Sequence, residues 1–215
     1  MALRLRLAGG MRDAVACLAP GPGDVILEAL LTSTAVVALA EIGDKTQLLA
    51  IVLATRFKRP VPIVLGILFA TLANHFLAAL IGEQAAALLD GRAFRYLVAA
   101  SFIVMAGWTL IPDTLDDEEP RPARYGVFLT TLVAFFLVEM GDKTQVATIA
   151  LGARFHSVLA VMAGTTLGMM IANVPAVYLG NAIVKKVPLN VVRTIAALLF
   201  LVIGLVLLAE TAGLI

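Results

Sequence analysis

Six long apolar segments, separated by short polar links, constrain this chain more than any other feature of its sequence. They cover about residues 25–54, 61–82, 94–112, 125–153, 157–184 and 191–213. Several of them approach or exceed the roughly 18 mainly apolar residues that cross a bilayer as a helix. They are too long and too uniformly apolar for the alternating strands of a membrane barrel. We therefore predict an all-α, multi-pass membrane protein with six transmembrane helices.

Composition excludes several classes of function. The chain is 61% hydrophobic and 14% charged, and its net charge of +1 includes no basic cluster interleaved with aromatics. Nucleic acid is therefore not an expected partner. The single cysteine, Cys17, excludes an internal disulfide and any Cys-rich metal site. No H-E-x-x-H motif or nucleophile pair lies in the spans, so we expect neither an enzyme nor a permanently bound cofactor.

The sequence repeats itself after 98 residues. At this offset Arg56-Phe57 aligns with Arg154-Phe155, and Gly66 aligns with Gly164. An odd number of spans per repeat makes the second copy enter the membrane from the opposite side, which predicts an inverted repeat of three helices plus three. The predicted organisation is an N-terminal tail (1–24), repeat 1 (25–112), an acidic linker (113–124) and repeat 2 (125–215).

The repeat contains two copies of an E-x-G-D-K-T-Q motif, at residues 41–47 and 139–145. Each copy interrupts an apolar segment of about 29 residues, or roughly 43 Å of helix, which exceeds a ~30 Å hydrocarbon core. These two segments should be tilted or broken. Because each motif contains a glycine, Gly43 or Gly141, we expect a local break there.

Charges inside a span are costly, at about 2.5–3.5 kcal/mol each on insertion scales. The motif residues should therefore face the bundle interior, with the two copies close together near the midplane. Carboxylates, hydroxyls and amide oxygens suit Ca²⁺, Mn²⁺ or Mg²⁺, whereas Zn²⁺ or Cu⁺ would favour His and Cys. The candidate metal ligands are Glu41, Asp44, Glu139 and Asp142, with Thr46, Gln47, Thr144 and Gln145 as auxiliary polar residues.

Charge counting indicates antiport. Four carboxylates and two lysines leave a formal charge of −2, which one divalent cation or two protons would neutralise. Metal and protons would then compete for the same oxygens. Lys45 and Lys143 are predicted counter-charges that hold the carboxylates when metal is absent. In the alternative interpretation, Glu41 with Lys45 and Glu139 with Lys143 are structural ion pairs between helices.

Other polar residues give weaker signals. Asn74 and Asn173 lie within spans and could supply ligands or hydrogen bonds, and His75 is a possible proton relay. The acidic linker is interpreted as a solvated connector. The distribution of Lys and Arg slightly favours both termini outside and the linker in the cytoplasm.

The two motifs, together with G-T-T-L-G-M-M-I-A-N-V-P at residues 164–175, resemble the Gdt-type family of cation:proton antiporters. The resemblance covers nearly the whole chain beyond about residue 25. It implies a six-helix inverted repeat that moves Mn²⁺, and in several members Ca²⁺, against protons. It also implies that Glu41, Asp44, Glu139 and Asp142 are the cation ligands. The compact length is similar to bacterial members, so we expect a manganese exporter of the inner membrane.

Two alternatives stay open at this point. One is Ca²⁺:proton exchange with manganese incidental, since an oxygen-only ligand set fits both ions. The other is a membrane scaffold or assembly factor whose charged motifs are structural ion pairs.

Overall fold

In the computed structural model, the described residues are 21–89, 91–111, 126–180 and 188–215. They form eight α-helices, and strands are absent from these ranges. The helices are α1 Pro22–Glu41, α2 Lys45–Phe57, α3 Pro60–Leu88, α4 Arg92–Thr109, α5 Gly126–Glu139, α6 Lys143–Phe155, α7 Val158–Leu179 and α8 Leu189–Ala212. The all-α prediction is confirmed for this part of the chain. The predicted tail up to residue 20 and the acidic linker lie outside the described residues.

Two of the six predicted segments are each divided into two helices, which is why eight are seen. The breaks fall at Gly43, with φ of 83°, and at Gly141, with φ of 78°. This left-handed conformation suits glycine because it has no Cβ. Asp44 and Asp142 are the N-cap residues of α2 and α6, where the helix dipole favours an acidic side chain. The break that segment length predicted is therefore confirmed in both copies.

Hydropathy and length identify four described helices that could cross a membrane. These are 23–41 within α1, and the whole of α3, α7 and α8, while α5 is a shorter apolar helix. Many large apolar side chains on these helices point outward, such as Leu31, Phe69 and Leu198, each more than half exposed. An apolar outer surface of this kind matches a bilayer rather than water. The structure thus describes a multi-pass membrane protein.

The two halves of the sequence are interleaved. Helix α1 packs against α7 of the second half, and the equivalent α5 packs against α3 of the first. At the centre α3 packs against α7, and α4 pairs with α8. The core divides into two apolar clusters, one around Phe102 and Phe200 and one around Phe135. Both clusters combine residues of the two halves, so the described parts of the two halves share one apolar core.

Glycines permit the closest helix crossings. A Cβ on Gly82 of α3 would lie 2.0 Å from the carbonyl oxygen of Ile149 in α6. A Cβ on Gly164 of α7 would lie 2.5 Å from the carbonyl oxygen of Leu30 in α1. Real carbon atoms cannot approach backbone oxygens so closely, so these positions need glycine for helix contact rather than for flexibility.

We expect Gly82→Ala to destabilise the fold by about 1–3 kcal/mol, because the new methyl group would force α3 and α6 apart. The matched control is Gly107→Ala, since a Cβ there meets no atom within 4 Å. That variant should be neutral or slightly more stable, because alanine favours helix. Thermal unfolding in detergent, followed by helical circular dichroism, measures both. Equal melting temperatures for the two variants would contradict the close crossing.

Candidate cation site

Acidic side chains of the two motifs meet inside the bundle, so that carboxylates from both repeats lie together. Glu41, Asp44 and Asp142 each offer one oxygen, and these three oxygens all lie within 4.8 Å of one another. All three side chains are at least 95% buried. Three like charges at this spacing repel strongly in an apolar interior, so they require a cation, protons or both.

Glu139 lies beside this cluster rather than within it. Its side chain is buried and close enough to Glu41, Asp142 and Lys45 for their charges to interact. Asn74 Nδ2 donates a hydrogen bond to Glu139 Oε2 at 3.3 Å. The other oxygen, Oε1, has no hydrogen-bond partner among the described residues. Three of the four predicted ligands therefore form one cluster, and the fourth lies at its edge with an available oxygen.

The two motif lysines have different surroundings. Lys45 Nζ lies 3.2 Å from Asp142 Oδ1, in the opposite motif. Lys143 Nζ donates to the carbonyl oxygen of Ile111, just beyond α4, at 3.0 Å. The ion pair of Lys45 thus joins the two halves, whereas the structural alternative had paired this lysine with Glu41 of its own motif. The counter-charge role of Lys45 and Lys143 stays a prediction.

Polar side chains from both halves surround Glu41. Thr46 Oγ1 donates a hydrogen bond to Glu41 Oε2, while Oε1 has no partner in the described part of the chain. Thr144 and Asn173 of the second half lie beside the same carboxylate. Each motif glutamate therefore has an asparagine from the opposite half next to it, Asn173 for Glu41 and Asn74 for Glu139.

The motif glutamines stabilise the helix breaks. The Gly43 N–H donates to Gln47 Oε1 at 2.9 Å, and the Gly141 N–H donates to Gln145 Oε1 at 2.7 Å. Gln47 Nε2 also donates to the carbonyl oxygen of Ala172 in α7 at 2.9 Å. In this arrangement the amide oxygens satisfy backbone donors that the break exposes. The ligand role that we suggested for them stays a prediction.

His75, in α3, is fully buried. Its side chain is 1% exposed, and neither ring nitrogen has a hydrogen-bond partner among the described residues. Its role as a proton relay stays a prediction, because no hydrogen bond of the described residues links it to the carboxylates.

Sequence reasoning missed two residues at the first break. Arg193 Nη2 donates to the carbonyl oxygen of Gly43 at 3.5 Å, and the side chain of Leu189 lies directly against Gly43. Both belong to the first turns of α8. The 98-residue repeat could have drawn attention to Arg193, because it aligns with another arginine, Arg95.

The site is chemically suited to a hard cation. Its inner oxygens are carboxylates and hydroxyls, the type that Ca²⁺, Mg²⁺ and Mn²⁺ prefer. The broken helices also end here, and broken membrane helices commonly offer main-chain carbonyls to cations. The arrangement is suited to a divalent ion, because the negative charge of its buried carboxylates has to be compensated by a cation or by protons.

Comparison with known proteins also identifies a family and a relative whose names refer to divalent cations. The chain matches twice the sequence profile of the family described as GDT1, divalent cation/proton antiporter, over residues 29–117 and 127–214. A Vibrio cholerae protein named "Putative manganese exporter" is 48% identical over 187 residues, which cover 86% of this chain and 93% of that protein. A GDT1-like protein of Synechocystis is 29% identical over 203 residues, 84% of this chain and 97% of its own. No solved structure matches the chain.

We expect Gln47→Ala to destabilise the protein more than its repeat equivalent Gln145→Ala. The first substitution leaves two main-chain groups without their side-chain partner around a buried Gly43, at a cost of about 1–3 kcal/mol. Gly141 is exposed, so its N–H can find other partners. Parallel thermal unfolding of the two variants measures the difference. A larger effect at Gln145 would show that the second break depends more on its glutamine.

Proposed function

Because the chain belongs to the GDT1 family of divalent cation/proton antiporters, we propose that it exports Mn²⁺ from the cytoplasm in exchange for protons. The observation that carries this proposal is the buried oxygen cluster of Glu41, Asp44 and Asp142, built from both repeats. Glu139 completes the proposed ligand set from the edge of the cluster. The relative from Vibrio cholerae that is named for manganese export supports the choice of metal.

The proposed membrane architecture is six spans arranged as two inverted repeats, 25–112 and 125–215. The two family matches, one in each half, support the duplication. Helix α1 packs on α7 of the other half, and the equivalent α5 packs on α3, which is the pattern that a pseudo-two-fold axis between the halves would produce. In such proteins the cargo site lies at the repeat interface, near the bilayer midplane. The proposed setting is the bacterial inner membrane.

The chemistry of exchange follows from charge. Without metal, Lys45 neutralises part of the cluster through Asp142, and protons would neutralise the rest. A divalent cation that enters must displace these protons, and it weakens the hold of Lys45 on Asp142. The protonated and metal-loaded sites are each stable, while the empty charged site is costly in an apolar interior. Returning through the membrane empty is therefore disfavoured, which couples the two fluxes.

Selectivity between Mn²⁺ and Ca²⁺ depends on the size of the site and the number of its ligands rather than on the ligand type. Ca²⁺ takes 6–8 oxygens in flexible geometry. Four buried carboxylates and the neighbouring hydroxyls can meet the needs of either ion, so the choice of Mn²⁺ rests on the relative that is named for manganese export. Ca²⁺:proton exchange is the competing outcome of the flux measurement below.

We expect Glu41→Gln and Glu139→Gln each to reduce Mn²⁺ flux by at least about tenfold, since each removes a charge from a site that has to balance a divalent ion. The measurement is Mn²⁺ and Ca²⁺ entry into proteoliposomes that contain a metal-sensing dye, driven by a pH gradient. Glu28→Gln is the control because Glu28 is exposed near the start of α1. Its flux should equal that of the wild type.

Three results of this assay would contradict parts of the proposal. Wild-type protein that moves neither ion under a pH gradient would exclude the antiporter. Faster Ca²⁺ than Mn²⁺ movement would exclude manganese as the main cargo. Normal flux in both motif variants would favour the scaffold interpretation of the charged motifs.

We expect the affinity for Mn²⁺ to fall as pH falls. Each proton that the metal must displace should change the apparent dissociation constant by about tenfold per pH unit. Isothermal titration calorimetry of Mn²⁺ binding to the purified protein, repeated across a pH series, measures this slope. A dissociation constant that does not change with pH would indicate transport without proton exchange.

A further inference from the structure

The two helix breaks are equivalent in sequence but differ in their surroundings. Gly43 is buried, and its missing Cβ would lie 2.7 Å from Leu189 Cδ2. Gly141 is exposed, and a Cβ there would meet no atom within 4 Å. Next to it, Met140 is 57% exposed, whereas the equivalent Ile42 is partly buried. Among the described residues, the first helix break is therefore covered, whereas the second helix break is exposed.

The cover over the first motif is the beginning of α8. Leu189 packs on Gly43, and one turn later Arg193 Nη2 donates to the Gly43 carbonyl oxygen at 3.5 Å. That carbonyl belongs to the broken stretch of backbone, and such groups commonly coordinate cations in broken membrane helices. Since Arg193 occupies it with a long and weak hydrogen bond, the contact can open at little cost.

The other end of α8 is also anchored. Arg154 Nη2, at the end of α6, lies 3.2 Å from both carboxylate oxygens of Glu210. The pair is partly exposed, with 35% and 43% of the two side chains accessible, so it orients α8 rather than adding much stability. At the 98-residue offset, Pro112 stands where Glu210 does, so this arginine–glutamate combination is not repeated in the sequence.

The repeat counterpart of Arg193 also differs in position. Arg95 lines a cavity with Arg154 and His156, beside the end of α6. Helix α6 has 13 residues, so this end lies about 20 Å from the second break. Arg95 is thus too far away to cover Gly141 as Arg193 covers Gly43. The asymmetry involves the whole α4–α8 pair and not a single side chain.

We propose that the first turns of α8 form a gate over the first motif, and that Leu189 and Arg193 are its positioning residues. This inference rests on the proposed transport function and adds to it the element that controls access. With the gate closed, Leu189 shields the break and Arg193 holds the Gly43 carbonyl. When α8 moves away, that carbonyl becomes available to the cation, and the path to Glu41 and Asp44 opens.

Thiol labelling tests the gate without depending on transport. Cys17, the only cysteine, is first replaced by serine, and Ile42→Cys then reports on the covered break. In proteoliposomes, Arg193→Gln or Leu189→Ala should raise its labelling by a water-soluble maleimide roughly three- to tenfold, the population shift expected from losing one such contact. Met140→Cys, at the equivalent position of the uncovered break, should label at an unchanged rate.

Arg95→Gln is the matched control for Arg193→Gln. It removes the same type of charge at the equivalent repeat position, but Arg95 does not lie at either break. It should leave the labelling of Ile42→Cys unchanged. A general loosening of the bundle would instead raise the labelling of both reporter cysteines with all variants.

Parallel flux measurements separate this inference from the proposed function. A gate that no longer closes should let protons leak in the absence of metal, which a purely structural contact would not cause. Labelling of Ile42→Cys that stays constant in both gate variants, or rises equally at Met140→Cys, would overturn the gate even if wild-type exchange is normal. Absence of wild-type Mn²⁺ and Ca²⁺ flux, with the expected labelling, would overturn the transport proposal and leave the covering contact in place.

Discussion

Negative charge is buried inside an apolar bundle in this protein, and the surrounding contacts have to compensate for it. Glu41, Asp44 and Asp142 lie within a few ångströms of one another, away from lipid and with little access to water. Their mutual repulsion would disfavour the fold if nothing compensated for it. Compensation comes from Lys45, from hydroxyl donors and from whatever cation or protons the site takes up. Charge compensation at these carboxylates and the stability of the fold therefore depend on the same electrostatic requirement.

The helix breaks are the local solution to that requirement. A continuous helix would leave its backbone groups paired and its acidic side chains separated along one face. Breaking the helix at Gly43 and Gly141 places an acidic N-cap at each new helix start, where the dipole favours it. The motif glutamines satisfy the glycine N–H groups that the break exposes. The E-x-G-D-K-T-Q motif thus encodes both the charges and the bend that presents them.

Duplication supplies two such bends, and packing makes them unequal. The contact of α1 with α7 and the contact of α5 with α3 are equivalent in the two halves. Helices α4 and α8 break the equivalence, since α8 packs along α1 and α4 along α6. The duplicated sequence has thus folded with two unequal surroundings for its motifs.

Sequence patterns predict the helical membrane class, the duplication, the two breaks and the motif residues, because charge in hydrocarbon and glycine in a long span each have few physical solutions. The tertiary structure sets which of these charges meet. It paired Lys45 with Asp142 across the halves, left Glu139 at the edge of the cluster and placed Arg193 over Gly43. Those contacts join residues about 100 or more positions apart, and local patterns carry no information on how helices from different halves pack together.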